Sequence, residues 1–108
     1  MEIALAFIEA HFDEPLSLDD VSSACGMSRF HFARIFKAHT GSPFKTFLNQ
    51  RRIRRAKELL EHREMSITET CFEAGFNDLS YFDRTFQRLE GMTPSAYRAL
   101  HRGGGAGE

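Results

Sequence analysis

The 108 residues contain no tryptophan, three prolines and two cysteines. Cys25 and Cys71 stand 46 positions apart, with no CxxC and no histidine at ligand spacing. That pattern points to neither a redox pair nor a zinc site, and fits two small buried thiols in a reducing compartment. Long apolar runs are also missing. The stretch Ile3 to Ile8 is six residues long with no basic residue ahead of it, too short for a membrane span and wrong for a signal peptide. The protein is therefore expected to be soluble and cytoplasmic. His11, His31, His39, His62 and His101 lie scattered, and no glycine-rich phosphate loop or nucleophile motif occurs. No enzyme activity, metal or cofactor is expected.

What is present fits one compact domain: 42% hydrophobic and 27% charged residues, with eleven phenylalanines to anchor a core. A chain of this size can bury enough surface without disulfides or a structural metal. The net charge of −1 conceals a segregation. Residues 1–28 carry six acids and no Lys or Arg, 29–63 carry ten basic and two acidic residues, and 64–108 carry four basic and seven acidic. A basic centre in a near-neutral chain suits a polyanion met through one face, while a pI near 6.5 argues against strong non-specific binding.

Helical signals run nearly the whole length and no strand pattern is found. Ile3, Phe7, Ile8, His11 and Phe12 fall at helical spacing before Pro15, giving a first helix from about Glu2 to Phe12. Ser17 with Asp20 caps a second helix that ends near Ala24 before Gly26. Ser28 caps a third, on which Phe32, Ile35, Phe36 and His39 form a stripe that Gly41 ends. Pro43 opens a long helix from about Phe44 to Glu61. Ser66 with Glu69 caps a short helix over Ile67 to Ala74, and Asn77 or Asp78 caps the next, with Phe82, Phe86 and Leu89 inward. Thr93-Pro94 opens a last helix through about His101. The fold class is thus all-α, with about seven helices. The expected organisation is an N-terminal helix and first helix-turn-helix over 1–43, a linker helix over 44–61, a second helix-turn-helix and C-terminal helix over 62–102, and a flexible tail over 103–108.

Half of the sequence is written twice. Ser17-Leu18 and Gly26 recur 49 positions later as Ser66-Ile67 and Gly75. Phe32, Arg34, Phe36 and Gly41 recur 50 positions later as Phe82, Arg84, Phe86 and Gly91. Each copy is a short helix, a glycine-bearing turn and a longer helix, the helix-turn-helix pattern. A connecting helix of about 18 residues spans about 27 Å, which with the helix diameters would set the two second helices roughly 34 Å apart, one turn of B-DNA.

These residues resemble the DNA-binding domain of the AraC/XylS family of bacterial transcription regulators. Gly75-Phe76, Tyr81-Phe82, Arg84, Phe86, Gly91-Met92-Thr93-Pro94-Ser95 and Tyr97-Arg98 match that family's second motif in order and spacing. Leu18, Val21, Gly26-Met27-Ser28, Arg34, Phe36-Lys37, Thr40-Gly41, Pro43 and the stretch Arg52 to Leu60 match the first. The resemblance runs from about Glu2 to His101. Thr70 departs from it, standing where a branched apolar residue is usual and so loosening the second motif, while Ser22, Cys25 and Cys71 occupy small positions. The upstream effector or dimerisation domain common in the family is absent from these residues, which fits either a small stand-alone member or a DNA-binding fragment.

The resemblance implies a double-stranded DNA partner, a monomeric binding unit, contact with RNA polymerase and a place on the nucleoid, with no membrane association. On the first recognition helix Arg34 leads for base readout, because a guanidinium grips guanine O6 and N7 bidentately; a phosphate contact is its alternative. Arg29 and His31 join it. Phe30 is set against a thymine methyl or, alternatively, packs beside Phe7 or Phe12. On the second helix Arg84 leads, with Ser80, Leu79 and Asp83; Asp83 either accepts from cytosine or serves an intrahelical structural pair. Phosphate contacts fall to Lys37, Arg52, Arg55, Gln87 and Arg88. Arg51, Arg52, Arg54 and Arg55 cannot all share one helix face, and the free N–H groups at Leu18 and Ile67 are further anion candidates. A protein-docking module, using the acidic first 28 residues, is the rival reading.

Overall fold

The computed structural model describes residues 1–62 and 64–106, with side chains as far as His101. Its helices are α1 (Glu2–His11), α2 (Leu18–Ala24), α3 (Arg29–Thr40), α4 (Phe44–His62), α5 (Ile67–Glu73), α6 (Leu79–Glu90) and α7 (Pro94–Ala106). No strand occurs among the described residues.

Local chemistry sets the boundaries. Ser17 Oγ accepts from Asp20 N at 3.1 Å while Asp20 Oδ2 accepts from Ser17 N at 2.9 Å. Ser66 and Glu69 repeat this box at 3.0 and 2.8 Å. Ser28 caps α3 through His31 N and Asp78 caps α6 through Tyr81 N, each cap being worth about 1 kcal/mol. Both longer helices of the repeat end on a left-handed glycine, Gly41 and Gly91, whose N–H donates to Lys37 and Gln87.

Two hydrophobic clusters share α4. Its first half supplies Phe44 and Leu48 to a cluster with Ala4, Ile8, Phe12, Val21, Phe32 and Phe36. Its second half supplies Ile53, Ala56 and Leu60 to one with Cys71, Ala74, Phe76, Phe82, Phe86 and Tyr97. The repeat extends further than the sequence pattern suggests: Phe47 and Tyr97, 50 positions apart, pack edge-on against Phe36 and Phe86 at 5.2 and 5.6 Å. α7 therefore stands to the second motif as the start of α4 stands to the first. The molecule measures 50 × 26 × 21 Å, drawn out along two units set side by side.

Several sequence expectations are corrected. Ile3 is 65% exposed, because the buried face of α1 runs through Ala4, Ile8 and Phe12. His39 is exposed, Ile35 is half-buried and Leu89 is 37% exposed, so each recognition helix rests on a narrower two-phenylalanine stripe. Thr70 does not loosen its motif: it is fully buried, with its hydroxyl donating to Ser66 O at 2.9 Å. Helix α7 runs past His101 to Ala106, with no proline after Pro94 to stop it. Residues 107–108 of the expected tail lie outside the described residues.

Candidate nucleic-acid interface

The second helices of the two motifs, α3 and α6, face a common cleft of about 860 Å3. Ala33 and Lys37 line one wall, Tyr81 and Arg84 the other, and the α4 segment from Phe44 to Asn49 contributes to the floor. Both recognition helices keep their polar outer faces in solvent because their phenylalanine pairs point the opposite way, into separate cores.

On α3, Arg34 and Lys37 are exposed and have no ion-pair partner among the described residues. Phe30 is 78% exposed, which removes packing beside Phe7 or Phe12 as an explanation for it. Arg29 reaches back to Asp19 of α2 at 3.3 Å, an exposed pair that water and salt weaken. His31 is exposed beside it. The described α3 side chains include no carboxylate, so this wall is purely cationic.

On α6, Leu79, Ser80, Asp83, Arg84, Gln87 and Arg88 are all exposed. Among the described residues nothing pairs with Asp83, so the structural role open to it from sequence finds no partner. Asp78, by contrast, is occupied as the helix cap. Acidic Asp83 beside Arg84 and Arg88 makes this wall mixed in charge.

The arginine run of α4 divides. Arg51 forms a two-pronged pair with Glu9 at 2.8 and 2.8 Å and lies 4.0 Å over the Phe12 ring. That hydrogen bond holds the Glu9 carboxyl below its ordinary value and raises Arg51. Arg52 spends Nε on Phe12 O at 2.7 Å and Nη2 on Glu14 O at 2.9 Å, and burial lowers its pKa. Arg55 pairs with Glu58 at 3.2 Å. Arg52 thus has its guanidinium engaged by two main-chain carbonyls, while the Arg55 pair, like that of Arg29, is one that water and salt weaken. At the starts of α2 and α5 the capping boxes engage the N–H groups of Ser17, Asp20, Ser66 and Glu69, not those of Leu18 and Ile67, and set an acidic side chain at each helix start.

Sequence reasoning missed the floor of the cleft. Buried Asn49 donates Nδ2 to Tyr81 Oη at 2.7 Å, and Lys45 Nζ stands 5.4 Å from the Tyr81 ring centre. The available signal was the 50-residue offset, which pairs Tyr81 with His31, a residue already singled out. Cys71 is fully buried, and desolvation pushes its thiol up to about 11, the behaviour of a packing residue. Among the described residues no three metal-ligating side chains converge, and no helix is long and apolar enough to cross a membrane.

Two capped helix-turn-helix units on one chain, with both recognition helices facing one cleft, define a duplicated helix-turn-helix DNA-binding domain. The family model described as "Helix-turn-helix domain" matches residues 21–100. The chain belongs to that family, in its AraC/XylS form. It is 38% identical over 98 residues to the regulatory protein PocR of Salmonella typhimurium, covering 91% of this chain and 32% of that protein. Among solved structures, the DNA-binding domain of the transcriptional factor AdpA, in complex with a target DNA, superposes with a TM-score of 0.88 at 31% identity, covering 93% of this chain and 90% of the other. A transcriptional regulator from Chromobacterium violaceum, described as containing an AraC-type DNA-binding domain, gives 0.84 at 31% identity, with 93% and 89% covered. The chain spans about a third of the length of PocR and of a Bacillus subtilis relative, and 12% of the length of the Staphylococcus aureus relatives it matches.

Proposed function

We propose that this chain is the sequence-specific, double-stranded DNA-binding part of a transcription regulator, reading two adjacent major-groove segments with α3 and α6. The observation that carries the proposal is that both recognition helices, each with an exposed polar face, border a single cleft, α3 through Ala33 and Lys37 and α6 through Tyr81 and Arg84. In this reading residues 1–43 and 62–102 carry the two reading units, and 44–61 are the spacer that lets one monomer do the work of a helix-turn-helix dimer.

Arg34 and Arg84 read guanines, Phe30 and Leu79 meet thymine methyls, and Arg29, His31, Ser80 and Asp83 complete the base contacts. Lys37, Gln87 and Arg88 hold phosphates and set register. The mixed charge of α6 makes the second motif the weaker and more tolerant reader. RNA polymerase is the proposed protein partner, met by the surface away from DNA. The site of action is the bacterial nucleoid in the cytoplasm, and the proposal includes no catalytic step.

Selection from a random duplex library with the purified chain, followed by titration of the winning site at two salt concentrations, tests the proposal. An asymmetric motif with two blocks about one helical turn apart, bound more weakly as salt rises, is expected. Absence of enrichment, or binding indifferent to sequence, overturns it, in favour of a fragment that reads DNA only with a further domain or of a protein-docking module, and the salt dependence separates the two.

A further inference from the structure

We propose that Lys45, at the floor of the cleft, and Tyr81, on its α6 wall, hold a backbone phosphate of the duplex between the two segments read by α3 and α6. The inference rests on the DNA-binding reading and adds to it a site that neither recognition helix supplies alone. A duplex that touches both walls of the cleft must lay its intervening stretch across the floor. On one face of B-DNA, two successive major-groove segments are separated by a minor groove bordered by phosphates. The ligand presented there is a phosphodiester oxygen.

The side chains suit that ligand. Asn49, 5% exposed, donates to Tyr81 Oη at 2.7 Å and fixes the phenol in place. A phenol that accepts in this bond keeps its own hydrogen to give, and no hydrogen bond from Tyr81 Oη to an acceptor occurs among the described residues. Burial alone would raise the pKa of this phenol, but the Asn49 hydrogen bond and the Lys45 charge, with the Thr85 hydroxyl and the Arg88 charge, together lower it, making a better donor.

Lys45 supplies the charge. Along α4, Arg51, Arg55 and Lys57 each have a carboxylate and Arg52 is tied to carbonyls. Lys45 has no carboxylate partner among the described residues and lines the cleft. The one acidic side chain in the lining, Asp78, has an oxygen occupied by the α6 cap. The site is also single: at the 50-residue offset, Lys45 corresponds to Ser95 and Tyr81 to His31, so neither motif repeats the pair. A phosphate grip between two base-reading helices adds affinity and fixes the phase of the duplex without reading sequence.

Fluorescence-anisotropy titrations of the whole chain on its selected duplex and on two unrelated duplexes, each over a series of salt concentrations, test the assignment. Lys45→Ala is expected to reduce the slope of log Kd against log salt by about 0.9, equally on all three duplexes. Tyr81→Phe removes a donor but no charge, so it is expected to leave the slope unchanged and weaken binding by about tenfold at every salt concentration. Lys45→Arg is expected to restore the slope. Melting curves followed by circular dichroism confirm that each variant is folded. An unaltered slope in folded Lys45→Ala, or a change in base preference in place of a uniform loss, overturns the cleft site while the DNA reading stands. Absence of salt-dependent binding by the unsubstituted chain overturns both.

Discussion

The guanidinium of Arg52 and the backbone carbonyl of Phe12, 40 positions apart, are joined by a 2.7 Å hydrogen bond. The same guanidinium donates to Glu14 O at 2.9 Å and lies 5.9 Å from the Phe76 ring centre. Carbonyls at and just beyond the end of α1, lacking intrahelical donors, are thus satisfied from α4 at the place where the second motif's turn passes. An arginine fork suits two carbonyls side by side, and a lysine does not. The link fixes more than α1, because the turn that leads into α6 is packed on it.

Arg52→Met is therefore expected to lower stability by about 2–3 kcal/mol, the scale of losing charge-assisted hydrogen bonds in a half-buried place, and to loosen the placement of the two recognition helices. Thermal unfolding checks the first effect. The second is checked by selecting duplexes whose two blocks are separated by variable spacers. The variant should accept a wider range of spacings while each block keeps its own sequence, whereas an unchanged spacing preference would confine Arg52 to stability.

Gly75 closes this contact from the other side. Its φ is +110°, and a Cβ placed there would stand 2.5 Å from Phe12 O and 2.9 Å from both Arg52 Nε and the Asp13 Cα. Two of those neighbours are backbone and cannot swing aside. Gly41, at φ +82°, has nothing within 4 Å of its would-be Cβ. Gly41→Ala should cost about 1 kcal/mol, the ordinary left-handed penalty. Gly75→Ala should cost about 3 kcal/mol or more, because strain and collision add. Denaturant midpoints of the two variants decide this, and equal losses would mean that the α1 contact yields freely.

Elements whose signals are local were legible in the sequence. Ser17 with Asp20, Ser66 with Glu69, and Gly41 with Gly91 state helix ends by chemistry that acts over three or four residues. The repeat then gave the architecture, because two phenylalanine pairs at a 50-residue offset require two cores. Arg51 and Arg52 could not be placed the same way. A basic helix face looks alike whether it meets phosphates or carbonyls, and the partners of Arg51 and Arg52, Glu9, Phe12 and Glu14, lie about forty residues away. Ile3 was misassigned for a related reason: α1 is apolar nearly all round, so periodicity alone did not choose between the Ile3 and Ala4 faces. Tyr81 was hidden by belonging partly to a core and partly to a cleft.

Acid stability should carry the mark of Glu9. Its pKa is lowered in the folded protein by the hydrogen bond from Arg51, with burial opposing. A carboxylate with a depressed folded pKa contributes stability that is complete above its ordinary value, near 4.5, and disappears as pH falls through the lower folded value. The Glu9 side chain is 60% exposed, so screening limits the effect to less than about 1 kcal/mol. Unfolding free energies of the native chain and Glu9→Gln, measured from pH 7 down to the acid transition, should converge as pH drops below that range. A constant gap at all pH values would show that the substitution acts through packing instead.

Arg34 and Lys37 lie one helical turn apart on α3, both exposed and both without an ion-pair partner among the described residues, yet they should fail differently. Lys37 lines the cleft, whereas Arg34 is not among the lining residues. Lys37→Ala should weaken binding equally on all sequences and reduce the salt slope by about 1. Arg34→Ala should cost about 1–3 kcal/mol on the selected site, relax one base position in the first block and leave the second block unchanged. Binding titrations on the selected site and on single-base variants of each block separate the two. A uniform loss for Arg34→Ala across all duplexes would reassign its guanidinium to a phosphate, leaving Phe30, 78% exposed beside it, as the leading base contact of the first motif.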